Sequence, residues 1–191
     1  MKRILSILTA LMLLCMSLVV NVNAQTAVTV GRQVTAEANI VSGKTYILKT
    51  GANAYIGDNG TNYDVLESGS SATTASTYYL IPNGNGTWKI KNLYTNRYWG
   101  VPVYNSALES VDDASSAGAW SLNFSGGIAY PSALDVNNTV CGIDRSSQKV
   151  WGWTTGTNNN HKVYIYEVAI NPNTEYLATG WYQIQWIDIN N

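Results

Sequence analysis

Between residues 140 and 161 the sequence sets down, in order, a carboxylate, two tryptophans and an amide cluster. Asp144 follows Val140-Cys141-Gly142-Ile143, Trp151 and Trp153 come next, and Asn158-Asn159-Asn160 closes the series. Those residue types suit a pyranose ring: an aromatic face covers its apolar C–H side, while a carboxylate or amide takes hydrogen bonds from its hydroxyls. Trp151 and Trp153 alternate and so share one face of a strand, leaving Val150 and Gly152 on the other. Large aromatics on an outward face point to contact with a ligand.

Other chemistries find little support. His161 is the single histidine, so a His-rich metal site or a Ser-His-Asp relay would rest on it alone. Its neighbours Asn160 and Lys162 suggest a surface polar residue at a loop edge. Asp112-Asp113 lies among Ala114, Ser115 and Ser116 and reads as a solvated turn, and no carboxylate spacing defines a glycoside-hydrolysis pair. The Gly-rich stretch Asn83–Gly86 lacks the lysine and helix of a phosphate loop. No cofactor or metal motif is present, and no catalytic residue is assigned.

The elements that must hold these residues recur three times. Tyr55-Ile56-Gly57, Tyr98-Trp99-Gly100 and Val140-Cys141-Gly142 repeat at a period of about 42 residues, followed in register by Asp64-Val65-Leu66-Glu67, Ala107-Leu108-Glu109-Ser110 and Lys149-Val150-Trp151-Gly152. Thr77-Tyr78-Tyr79-Leu80, Ala119-Trp120-Ser121-Leu122 and Lys162-Val163-Tyr164-Ile165 alternate as half-buried strands do. The opening strands are Thr45–Leu48, Thr87–Ile90 and, more weakly, Gly127–Tyr130. Four strands in three units make twelve, and Asn- and Gly-rich clusters close the hairpins. The expected fold is an all-β β-trefoil. Cys141 shares the repeat position of Ile56 and Trp99, so it is expected to be buried and inert.

On these residues the chain resembles the ricin-B-like β-trefoils found beside carbohydrate-active domains in secreted proteins of Bacteroidetes. The resemblance covers about residues 40 to 168 and implies a six-stranded barrel capped by three hairpins, with a shallow sugar pocket in up to three units. The family's Gln-x-Trp signature is altered here, at Thr77-Tyr78-Tyr79, at Ser121 around Trp120, and at His161 to Tyr164. Carried over by position, the resemblance implies Asp144, Trp151 or Trp153, and Asn159 as ligand-binding residues. Asp135, in Ala133-Leu134-Asp135-Val136, is the alternate to Asp144. Asp58 stands at the corresponding place in the first unit, but Leu66 replaces the tryptophan, and Val101 replaces the acid in the second. The third unit is therefore the expected site.

Met1-Lys2-Arg3 followed by the apolar run Ile4–Val20 and Val22-Asn23-Ala24 reads as a signal peptide over residues 1–24. The mature chain then carries nine Lys and Arg against 12 Asp and Glu, without a polybasic patch for nucleic acid or anionic lipid. Cys141 is left alone, so no intramolecular disulfide can form. Residues 25–41 read as a leader, 42–168 as the trefoil and 169–178 as a linker. Residues 179–191, with Thr179–Trp186, read either as the first strand of a truncated further domain or as a terminal strand packed on the trefoil. The expected protein is a secreted, periplasmic or cell-surface carbohydrate-binding module, partnered by a glycan and accessory to a glycan-degrading protein. The rivals are a protein-binding or structural trefoil and an N-terminal fragment of a glycoside hydrolase with its catalytic domain downstream.

Overall fold

A computed structural model describes residues 25–59, 64–146 and 148–169. The expected signal peptide, the linker beyond Ala169 and both readings of residues 179–191 lie outside the described residues. Thirteen strands are present there: β1 (Val30–Val34), β2 (Thr45–Thr50), β3 (Tyr55–Gly57), β4 (Leu66–Ser68), β5 (Thr77–Gly84), β6 (Thr87–Asn92), β7 (Tyr98–Trp99), β8 (Ser106–Ala107), β9 (Ser110–Val111), β10 (Ser132–Leu134), β11 (Val140–Ser146), β12 (Lys149–Trp153) and β13 (Val163–Val168).

Six segments form a closed ring. β2 pairs with β5 and β13, β5 with β6, Trp88 bridges Trp120, Ser121 bridges Ser132, and Ala129 bridges Val163. Three hairpins, β3–β4, β7–β9 and β11–β12, meet on a three-fold pseudoaxis. Val65 donates its N–H to the Leu108 carbonyl at 2.8 Å, Leu108 to Val150 at 2.7 Å, and Val150 back to Val65 at 3.0 Å. The fold is a β-trefoil. Its core runs through Tyr46, Leu48, Ile56, Tyr78, Leu80, Ile90, Trp99, Trp120, Leu122 and Ile165. Tyr78, Trp99 and Trp120 stack edge to face with centroids 6.1 and 5.5 Å apart. These large rings fill the first two units' share of a core to which the third unit contributes the smaller Ala129 and Val163.

The third unit departs from the repeat in two ways. Its opening segment makes bridges but no continuous strand, because the Gly126-Gly127 turn (φ +57° and +78°) precedes it and Pro131, which has no N–H, follows. Its hairpin register also slides. Ile56 pairs with Glu67 and Trp99 with Ser110, each two residues past the pseudoaxis residues Val65 and Leu108. Two residues past Val150 is Gly152, which pairs with Ile143. Ile143, and not Cys141, therefore takes the place of Ile56 and Trp99. The unit lengthens its β10–β11 connection and shortens its β11–β12 hairpin, so the 42-residue period survives while the register moves. Cys141 faces Ala133 inside the longer hairpin and is still buried.

The same slide corrects the equivalence of Asp58 with Asp144. Asp144 pairs with Trp151 as Gly57 pairs with Leu66, so Gly57 is the counterpart. Asp58 is buried and structural, accepting from Ser110 Oγ at 2.5 Å and Thr95 Oγ1 at 3.0 Å, with Arg97 Nη1 at 3.8 Å.

Residues 25–41, expected as a leader, contribute β1, which pairs with β13. Glu167 on β13 binds Arg32 at 3.0 Å and Lys44 at 3.3 Å. A second apolar cluster of Ile47, Tyr55 and Ala72, joined by Val28, Val30, Tyr166 and Val168, lies under this contact.

Candidate functional site

The antiparallel β11–β12 pair sets Asp144 opposite Trp151 and Gly142 opposite Trp153. Val150 and Gly152 turn inward and are buried, whereas Trp151 and Trp153 are half-buried on the other face, as their alternation requires. On that face lies a cavity of about 270 Å³ lined by Asn105, Asp144, Arg145, Trp151 and Trp153.

Two polar atoms on its lining residues have no partner. Asp144 Oδ1 and Trp151 Nε1 are buried, and neither makes a hydrogen bond with a described residue. A desolvated carboxylate oxygen wants a donor and an indole N–H wants an acceptor. A hydroxyl group is both. The adjoining Arg145 is turned to Glu67, with which it pairs at 3.0 Å, so its charge is shared with another carboxylate.

The second unit completes the wall. The loop between β7 and β8 crosses β12: Tyr104 bridges Gly152, and Asn105 donates its N–H to the Gly152 carbonyl at 2.8 Å. This approach needs a glycine, because a Cβ at position 152 would sit 2.4 Å from the Val103 carbonyl oxygen. The loop delivers Asn105 to the cavity and stacks Tyr104 on Trp153, centroids 5.0 Å apart and planes 25° apart.

Of the sequence-derived residues, Asp144, Trp151 and Trp153 come together here. Asn159 does not line this cavity: it lies in a single 3-10 turn, Asn159–His161, and its Oδ1 accepts from Lys162 Nζ at 2.8 Å. The alternate, Asp135, is a turn-former whose Oδ1 accepts the N–H groups of Asn137 at 2.8 Å and Thr139 at 2.7 Å. His161, expected at the surface, is 6% exposed, and its Nδ1 lies 2.6 Å from the Ile143 carbonyl. It closes the base of the hairpin. Tyr104, Asn105 and Arg145 were missed by sequence reasoning. The one local signal was a glycine between two tryptophans, which marks a close backbone approach but not the loop that makes it.

No protein-family model and no curated protein matches the sequence. Solved structures do match in fold. The designed three-fold symmetric protein ThreeFoil aligns with a TM-score of 0.53 at 10% identity, covering 64% of this chain and 97% of its own. The Rhizoctonia solani agglutinin aligns with a TM-score of 0.55 at 14% identity, covering 66% of this chain and 96% of its own. A GlcNAcα1-4Gal-releasing endo-β-galactosidase from Clostridium perfringens aligns with a TM-score of 0.55 at 12% identity, over 67% of this chain but only 33% of the enzyme. At these identities the likeness is one of fold, shared with β-trefoil lectins.

Proposed function

We propose that this protein is a non-catalytic carbohydrate-binding module, exported from the cell, whose sugar site is the Asp144–Trp151–Trp153 cavity with Asn105 at its wall. The observation that carries the reading is the pair of unsatisfied buried atoms, Asp144 Oδ1 and Trp151 Nε1, on cross-strand neighbours beside an aromatic face. A sugar hydroxyl drawn in by a small side-chain rotation would donate to the one and accept from the other. Trp153 and Tyr104 would border the apolar side of the ring.

Binding suits this site better than hydrolysis. Asp144 is the one carboxylate among the five lining residues, and glycoside hydrolysis ordinarily asks for two facing the scissile bond. The presence of such a fold within about a third of a glycan-cleaving enzyme supports an accessory role beside a catalytic partner. A glycan array followed by calorimetry tests the reading. Retained glycans should bind the native protein and lose at least about tenfold in affinity, or about 1.4 kcal/mol, on Trp153→Ala or Asp144→Asn. An array without a bound glycan, together with a protein captured at this face, would favour the protein-binding alternative.

A further inference from the structure

A second cavity, of about 640 Å³, is lined from residues 123–132 and 155–161 and shares no lining residue with the Asp144 cavity. Its volume is that of a small-molecule site, about 300–1,000 Å³. None of its described lining residues is Asp, Glu, Lys or Arg.

One buried group at its wall lacks a partner. His161 is 6% exposed, and its Nδ1 lies 2.6 Å from the Ile143 carbonyl. A carbonyl only accepts, so Nδ1 carries the ring hydrogen, and Nε2 of the uncharged imidazole is an acceptor. Among the described residues Nε2 meets no donor. Its edge of the ring lies against Gly156, also in the lining, where a Cβ would stand 2.4 Å from that nitrogen. Ser132 supplies the complement. Its Oγ accepts from Asn123 Nδ2 at 2.8 Å and keeps its own hydrogen to donate. The same amide reaches the Tyr130 carbonyl at 3.2 Å, which ties this wall together. The half-buried rings of Phe124 and Tyr130 add the apolar part of the lining.

An acceptor, a donor and aromatic carbon without a charged side chain suit a neutral ligand with hydroxyls on its edges and C–H groups on its faces. We infer that this cavity is a second sugar site, independent of the Asp144 cavity: a ring hydroxyl donates to His161 Nε2, Ser132 Oγ donates to the sugar, and Tyr130 and Phe124 border the apolar face. The third unit then holds two sugars at separate places.

His161 is the single histidine, so in untagged protein its ring nitrogens can be followed by NMR without overlap. In the free protein Nε2 should carry no hydrogen. The probes are galactose, glucose, mannose, xylose and their neutral disaccharides, titrated into Asp144→Asn/Trp153→Ala, in which the other cavity is disabled. At least one should move the Nε2 signal along a saturating curve. Adding Tyr130→Ala should weaken that curve about tenfold, and adding Ser132→Ala, which removes only a hydroxyl, about fivefold. A hydrogen on Nε2 in the free protein, a signal that no probe moves, or a curve that neither added variant weakens would overturn the inference. The Asp144 site would still stand if the native protein binds a glycan that Trp153→Ala weakens. A saturating His161 curve with native affinity indifferent to Trp153→Ala would support the second site and overturn the first.

Discussion

Tyr104 of the second unit stacks on Trp153 of the third, 5.0 Å between centroids, and the contact exists because Gly152 lets the Tyr104 loop rest on β12. An aromatic pair of this kind contributes about 0.5–1.5 kcal/mol beyond its buried area. Tyr104→Ala should therefore cost about 1 kcal/mol by denaturant unfolding, shift the emission of Trp153 to longer wavelength and weaken glycan binding. Gly152→Ala should do more. Its Cβ meets backbone, so the whole loop must move, at about 1–3 kcal/mol, and Tyr104 and Asn105 both leave the site.

The two tryptophans should separate on stability. The indole N–H of Trp151 is buried, whereas Trp153 is bordered by a half-exposed tyrosine. Both are half-buried, so each truncation should cost less than the roughly 3–5 kcal/mol of a fully buried aromatic, with Trp151→Ala the larger loss because its indole N–H is buried. Thermal melts beside glycan titrations check this: both variants lose binding, and the first melts earlier than the second.

Arg97 holds the first and second hairpins together. It is buried against Asp58 at 3.8 Å, binds Asp112 at 3.0 Å and donates to the Ser110 carbonyl. Arg97→Met would leave the Asp58 carboxylate buried without this compensating charge, at about 3–5 kcal/mol. Adding Asp58→Asn should recover part of that loss in a double-mutant cycle. A single variant with native stability would contradict the assignment.

Cys141 should resist thiol reagents until the protein unfolds. Burial first, and the Asp135 carboxylate second, push its thiol pKa up, which depletes the reactive thiolate. The sign for stability follows. The neutral thiol is favoured in the folded state, so its contribution is complete below the unfolded thiol pKa and is lost as pH rises through and above it. Glu167 works in the opposite sense: hydrogen bonding from Arg32, with help from Lys44, lowers its pKa, so its contribution is present above the ordinary glutamate pKa and is lost on acidification. Titration of wild type against Cys141→Ala and Glu167→Gln by chemical denaturation should show the two differences at opposite ends of the pH range.

The sequence by itself determined the three-fold architecture. Alternating apolar residues and recurrent turn clusters repeat at one period, and burying three such units together requires the barrel and hairpins observed. It also put Trp151 and Trp153 on one outward face, because residues that alternate on a strand share a face whatever the strand packs against; the hairpin pairing then sets Asp144 beside them. The tertiary structure alone decided the rest. A change of two residues in one hairpin, offset in its neighbour, is silent in the overall period, yet it moved Ile143 into the core position expected for Cys141 and aligned Asp144 with Gly57. Asn105 and Tyr104 were beyond sequence reasoning because they reach the site from another unit. Their place depends on a backbone-to-backbone contact at Gly152, and such contacts leave no mark on side-chain periodicity. His161 was misjudged for a related reason. Its polar neighbours in sequence say nothing of the Ile143 carbonyl, 18 positions away along the chain, which binds its ring in the folded protein.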